Sequence, residues 1–176
     1  ITFAIDVINR KGGINGKKLV LLVEDNQSDP KSAISALNKL LYVDNIRYLH
    51  SFGSSINLAL KPIAEEKKVI LFSNAAHPKI TEKTDFIFRH SNIALSDAEV
   101  LIEEVKKKNP KRIGIIYVND EWGMVFNQEF QKLLQEFNPT IEIKSETHLP
   151  TDTDFRTQIT KVLNMKPDIV LVASFG

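Results

Sequence analysis

The chain has no cysteine, which excludes disulfides, thiolate-bound zinc, iron–sulfur clusters and a thiol nucleophile together. This does not fix the compartment, because a chain with a large core can live in an oxidising space without disulfides. Long apolar runs are missing too. A stretch such as Ile169–Ala173 reaches about five residues, against roughly 20 for a bilayer-crossing helix. An excess of one charge is also absent: 23 Lys and Arg face 22 Asp and Glu. No bulk positive field therefore argues for nucleic acid or an anionic membrane. Enzyme signatures are thin, with no Walker A motif and no GxGxxG after a strand. There is no GxSxG nucleophile elbow either. The four histidines, His50, His77, His90 and His148, show no metal-ligand spacing. No metal, cofactor or catalytic residue is expected. Residue 1 is Ile rather than Met, and the sequence stops just after an apolar strand. It reads as a piece of a longer protein.

What is present is 176 residues, 43% hydrophobic and 26% charged, enough apolar mass for a core. Two periodicities alternate along them. Ile1, Ala4, Ile5 and Ile8 keep helical spacing up to Gly12-Gly13, a natural helix stop. Asn15-Gly16 signals a turn, and Leu19–Glu24 reads as a buried strand. Asp29-Pro30 supplies N-cap and first residue to a helix with Ala33, Ile34, Leu37, Leu40 and Leu41 inside. Strand Ile46–Ser51, a helix over 54–67 and strand Val69–Ser73 follow, then a Pro78–Lys83 turn and a brief Phe86–Arg89 strand.

The pattern restarts with a helix over 95–109, carrying Glu103/Lys107 and Glu104/Lys108 at i,i+4 and ending at Asn109-Pro110. Strand Arg112–Val118, an amphipathic helix from Trp122 to Phe137, strand Ile141–Thr147, a helix near 153–166 and strand Ile169–Ala173 complete the run. This alternation predicts an α/β fold with parallel sheets covered on both faces. The rhythm breaks only over 74–94, so a domain boundary is expected near residue 92. Charge shifts there as well: residues 1–92 hold 13 basic and 9 acidic groups, residues 93–176 hold 10 and 13.

In open parallel sheets, ligands bind beyond the C-terminal strand ends. That rule selects Asp25–Pro30, Ser51–Ser55, Ser73–Pro78, Asn119–Gly123 and Ser174–Gly176. Ser54 and Ser55 lead into a helix; they either cap it or join its backbone N–H groups in a carboxylate site. Ala75, Ala76 and His77 sit in a small-residue loop, where His77 is either an incidental turn residue or a polar ligand contact. Trp122 is either a core residue or an aromatic wall over a ligand. Phe175 carries the same two readings. An α/β hydrolase using Ser54 and His77 is the alternative from a different class.

Further residues carry a resemblance when read in order: Asn9-Arg10-Lys11-Gly12-Gly13-Ile14-Asn15-Gly16, Val23 to Pro30, Gly53-Ser54-Ser55 and Pro62 to Glu66. Ser73 to Ala76, Phe88-Arg89, Ser96-Asp97-Ala98, Asp120-Glu121-Trp122-Gly123 and Thr153-Asp154-Phe155 continue it. The chain is similar to the type I periplasmic binding proteins, particularly the branched-chain amino-acid (leucine/isoleucine/valine) solute-binding components of ABC importers. The resemblance spans essentially all of it. It implies a two-lobed protein, periplasmic or otherwise extracytoplasmic, that closes by a hinge around an amino acid or related small carboxylate and delivers it to a membrane permease. Residues 1–92 would be a first lobe lacking its first strand, and 93–176 part of a second.

The resemblance also places functional residues. Ser54, with Ser55 beside it, falls on the ligand carboxylate, and Ala75, Ala76 and His77 on a loop offering the solute backbone and a polar group. Trp122 and Phe175 fall on the second-lobe wall, and His90, Ser91 and Asn92 on the hinge. The implied partners are the small ligand and an ABC permease, with no nucleic acid and no direct membrane insertion. A ligand-sensing receptor or regulator of the same fold is the near alternative. Two departures stand out: His77 lies near a position where the family usually has threonine, and its loop is a residue shorter. The acid that typically pairs with the ligand ammonium lies beyond Gly176. The first sheet is expected to lack a central strand.

Overall fold

A computed structural model describes residues 1–175. The chain runs α1 (Thr2–Arg10), α2 (Pro30–Tyr42), β1 (Tyr48–Phe52), α3 (Ser54–Lys67), β2 (Ile70–Asn74), a 3-10 turn (Pro78–Ile80) and β3 (Ile87–Arg89). It continues through α4 (Ala94–Lys108), β4 (Arg112–Val118), α5 (Glu121–Phe137), β5 (Glu142–His148), α6 (Arg156–Leu163) and β6 (Ile169–Ala173). The strands form two separate three-stranded parallel sheets, ordered β1-β2-β3 and β5-β4-β6. The α/β class and parallel pairing expected from the alternating periodicities are what the chain adopts.

Local chemistry sets the helix ends. The Asp29 carboxylate accepts the Ser32 N–H at 2.8 Å, with Pro30 opening α2, as the N-cap preference predicts. Asp120 does the same for α5, accepting the Gly123 N–H at 2.7 Å. Asn109 closes α4 in the left-handed conformation, φ 45°, which Asn tolerates better than most residues. On α4 the ion pairs are Lys106–Glu103 and Lys107–Glu104, at i,i+3 rather than the expected i,i+4. Both spacings share a helix face.

Each sheet has its own core. In the second, Ile113 and Ile115 of the central strand are fully buried with Ile102, Phe126, Phe130 and Leu134 of α4 and α5. Against the other face lies α6. It packs there because β4 carries Gly114, where a Cβ would lie 2.2 Å from Val162 Cγ1. In the first sheet, Leu71 and Ile87 pack with Leu37, Ile56, Leu60 and Ala64 of α2 and α3. Its opposite face departs from expectation. Tyr48, Phe52, Phe72 and Phe88 alternate out of the buried positions and are exposed, so this sheet is covered on one side only among the described residues.

The reason lies upstream. Leu19–Glu24, expected as a buried strand, joins neither sheet; Val20 is 80% exposed and Val23 75%. A strand needs a neighbour's ladder, and the backbone of Leu19 instead bonds both ways to the Asn9 side chain, at 2.7 and 2.9 Å. The helix α1 buries no residue, despite its apolar spacing at Ala4, Ile5 and Ile8.

The start of β4 is tied to β6 by Asp168, whose Oδ2 accepts the N–H groups of Lys111 and Arg112 at 2.8 and 2.9 Å. The Arg112 and Lys111 N–H groups hold its carboxyl below the ordinary value of 3.8. A depressed folded pKa contributes stability that is complete above the unfolded value and lost as pH falls through the folded one. Asp168→Asn is therefore expected to be less stable at neutral pH, with the gap to the natural protein closing below pH about 4. Urea midpoints across that range measure it.

Candidate functional site

Between the two sheets opens a cleft of about 1410 Å³. It lies at the C-terminal ends of β1, β4, β5 and β6, where parallel-sheet proteins place ligands. On the first side, Phe52, Gly53, Ser54 and Ser55 line it at the β1–α3 junction, with Asn26, Ser28 and Pro30 beside them. The glycine is required at this junction: Gly53 caps α3 with φ 89°, a conformation costly for a residue with Cβ. It offers no side-chain cap, so the first-turn N–H groups of α3 remain available to an anion. Asn57, fully buried, donates its Nδ2 to the Gly53 carbonyl at 2.8 Å and secures the turn.

The second side brings Asn119, Asp120 and Glu121 before α5, the segment from His148 to Phe155, and Ser174 with Phe175. Among the described residues, three carboxylates, Asp120, Glu121 and Asp152, line the cleft, and no Lys or Arg does. Asp120 is engaged as the α5 cap, while Asp152 accepts the Leu149 N–H at 2.8 Å. The two sides touch where the Glu121 N–H reaches Ser55 Oγ at 3.4 Å. Phe52 and Phe175 also meet edge-on, centroids 6.4 Å apart.

Of the residues singled out from sequence, Ser54, Ser55 and Phe175 line the cleft, whereas Ala75, Ala76, His77 and Trp122 are not among its lining residues. The Arg89 guanidinium explains the loop. It donates to the carbonyls of Ala75 at 3.1 Å, His77 at 2.9 Å and Pro78 at 3.2 Å, drawing that backbone inward until all three of Ala75, Ala76 and His77 are buried. The backbone N–H of His77 donates to Ser54 Oγ at 3.3 Å. Its ring faces elsewhere: Nδ1 accepts the Lys79 N–H at 3.2 Å, and Nε2 lies 3.5 Å from the Glu121 carboxylate. Burial pushes the His77 pKa down, with Glu121 opposing. A general base must face the hydroxyl it deprotonates. This ring does not face Ser54, and nothing supports the hydrolase alternative.

Trp122 backs the wall. It packs on Phe175 at 4.6 Å and stacks on Phe126, which stacks on Phe130, so an aromatic column runs from the cleft into the core. His90, Ser91 and Asn92 cross from β3 to α4. Ser91 Oγ donates to the Ala75 carbonyl at 3.1 Å, and the ring nitrogens of His90 and His50 meet at 3.1 Å. Sequence reasoning missed the segment from His148 to Phe155. The strand-end rule would have found it, because it leaves the C-terminal end of β5. Among the described residues, no three His, Asp or Glu side chains gather to hold a metal ion. No helix there is long and apolar enough to cross a membrane.

A family model described as "Periplasmic binding protein" matches residues 1–176. The chain belongs to this periplasmic binding protein family. One relative is the Leu/Ile/Val-binding protein BraC3 of Rhizobium johnstonii, 28% identical over 98% of the chain and 47% of its own length. The chain thus spans about half the length of the curated relatives it matches. Among solved structures, the branched-chain amino acid transporter substrate binding protein LivJ of Streptococcus pneumoniae, in complex with isoleucine, superposes with a TM-score of 0.85 at 23% identity. It matches over 97% of this chain and 49% of its own. A solute binding protein of an ABC transporter from Rhodopseudomonas palustris, in complex with p-hydroxybenzoic acid, gives 0.86 at 20%, over 97% and 48%. The periplasmic binding protein fold is shared by both.

Proposed function

We propose that this chain supplies the facing walls of an extracytoplasmic solute-binding component of an ABC importer, which holds an amino acid or related small carboxylate. The cleft between two independently cored sheets, with the uncapped first turn of α3 opening into it, carries this reading. The names of the relatives and the isoleucine and hydroxybenzoate of the neighbours support it. In this reading residues 1–92 belong to one lobe, 93–176 to part of the other, and His90, Ser91 and Asn92 form the hinge segment between them. The remaining partner is a membrane permease.

The chemistry needs no metal and no catalyst. Ser54, Ser55 and the α3 N–H groups take the carboxylate, and Phe175 covers the apolar part. His77 and Trp122 act from behind, through Glu121 and Phe175. Hydrogen bonds to a charged group are worth about 1.5–3 kcal/mol each, and micromolar binding needs about 8 kcal/mol. A few such contacts plus an apolar wall suffice. A solute touching both walls stabilises whichever state brings them together, which is how binding drives closure.

Calorimetry against the common amino acids tests the reading, with saturable binding and no turnover expected. Consumption of the bound solute would overturn it. Ser54→Ala is expected to weaken carboxylate solutes about tenfold or more. The same change strands the buried His77 N–H, so its stability is measured separately by denaturation.

A further inference from the structure

Glu121 is the first residue of α5 and keeps 43% of its side chain exposed. Among the described residues, the hydrogen bonds and ion pairs that side chains make across residue 92 all involve it. Its N–H reaches Ser55 Oγ at 3.4 Å, and its Oε2 lies 3.5 Å from His77 Nε2. The tautomer of that ring follows from its other nitrogen. Nδ1 accepts the Lys79 N–H at 3.2 Å and so carries no proton; the neutral imidazole holds its proton on Nε2, towards Glu121. Burial keeps the ring neutral, and Lys79 and Arg89 act in the same direction against Glu121. Both ends are fixed. The His77 backbone donates to Ser54 Oγ and accepts from Arg89, while the Asp120 cap sets the first turn of α5. A charge-assisted N–H···O bond is about 2.7–2.9 Å long, so a small rotation of one wall towards the other tightens this contact.

We infer that the Glu121 carboxylate straps the two walls together through His77 Nε2–H, and is thereby a positioning residue for the solute. Its effect on affinity rests on the solute-binding reading above and deepens it; the strap itself is a property of the two walls. A contact made across the cleft is lost when the walls part, so it biases the equilibrium towards the arrangement in which they meet. A solute that needs both walls binds with an apparent dissociation constant raised in proportion to how rarely they meet without it. The strap therefore strengthens binding of every such solute by the same factor. A side chain that touches the solute does otherwise: it favours one chemistry over another. Uniformity across solutes is thus the mark that separates positioning from contact.

Spin labels on Ser35→Cys and Lys132→Cys, exposed on α2 and α5, measure the separation of the walls in the full-length protein without solute. Glu121→Ala and His77→Asn are each expected to lengthen it. In the second, the Asn carbonyl replaces Nδ1 as acceptor for the Lys79 N–H but does not reach Glu121. Glu121→Gln, whose amide carbonyl still accepts from Nε2–H, should keep the natural distance. Because Glu121→Ala and His77→Asn remove the same contact, the double variant should open no further than either single one. By calorimetry, Glu121→Ala should weaken leucine, valine and p-hydroxybenzoate by one common factor, about fivefold, with their order of affinity kept. A label distance unchanged in Glu121→Ala overturns the inference, as does an additive double variant. A loss confined to one solute overturns it too, by making Glu121 a direct contact. If none of the three solutes binds the natural protein, the solute-binding reading falls, and the label distances alone decide the strap.

Discussion

Phe130→Ala is expected to lower the unfolding free energy by about 3–5 kcal/mol, the range for removing a buried aromatic ring. Phe130 is 1% exposed, at the centre of the core that α4 and α5 make with β4. It lies within 11° of parallel to Phe126, centroids 5.9 Å apart, so its loss empties a site that rigid neighbours cannot close. Against a typical total of about 5–15 kcal/mol, the change is large. The chain has one tryptophan, Trp122, stacked on the same column through Phe126. Its fluorescence in a urea titration reports the unfolding of this core directly. Phe175→Ala, at a ring 55% exposed, should move the midpoint much less. Equal shifts for the two variants would show that the column is not part of the core.

Gly123→Ala should also be costly, though it adds one methyl group. A Cβ there would sit 2.0 Å from the Val118 carbonyl oxygen and 2.9 Å from Val118 Cγ1. Because the obstacle is backbone of the central strand, no rotamer change relieves it; the first turn of α5 must move off β4. Overpacking of this kind costs about 1–3 kcal/mol and occasionally more. The displacement carries Asp120 and Glu121 with it, and so should weaken solute binding as well as folding. Gln128→Ala, exposed on the same helix, is expected to stay within about 0.5 kcal/mol. The urea midpoint and the solute affinity, measured on both variants, separate a local steric effect from a general intolerance of change in α5.

Much of the architecture was legible beforehand because it depends on local chemistry. The helix of Pro30–Tyr42 follows from Asp29-Pro30 and an inner face at Ala33, Leu37 and Leu40. The strand Arg112–Val118 follows from an apolar run between a Pro-marked helix stop and a turn. Leu19–Glu24 was misread because its apolar composition satisfies a strand pattern, while pairing depends on a neighbour that no local signal supplies. The site divides the same way. Ser54, Ser55 and Phe175, singled out because strand-end loops are readable, line the cleft. Ala75, Ala76 and His77 are buried in a loop whose Ala75 and His77 carbonyls accept from Arg89, more than ten residues further along the chain, and nothing near the loop announces that.

The sequence by itself determined the α/β alternation, the helix caps and the loops from which a site could be built. It also excluded thiol chemistry, since there is no cysteine to perform it. Only the tertiary structure decided which of those loops face one another, and that the His77 ring turns to the Lys79 N–H and the Glu121 carboxylate. The physical reason is range. Caps and periodicity act within a turn or two of chain, whereas a cleft is defined by what distant strand ends bring together and by which polar atoms their packing leaves unpaired.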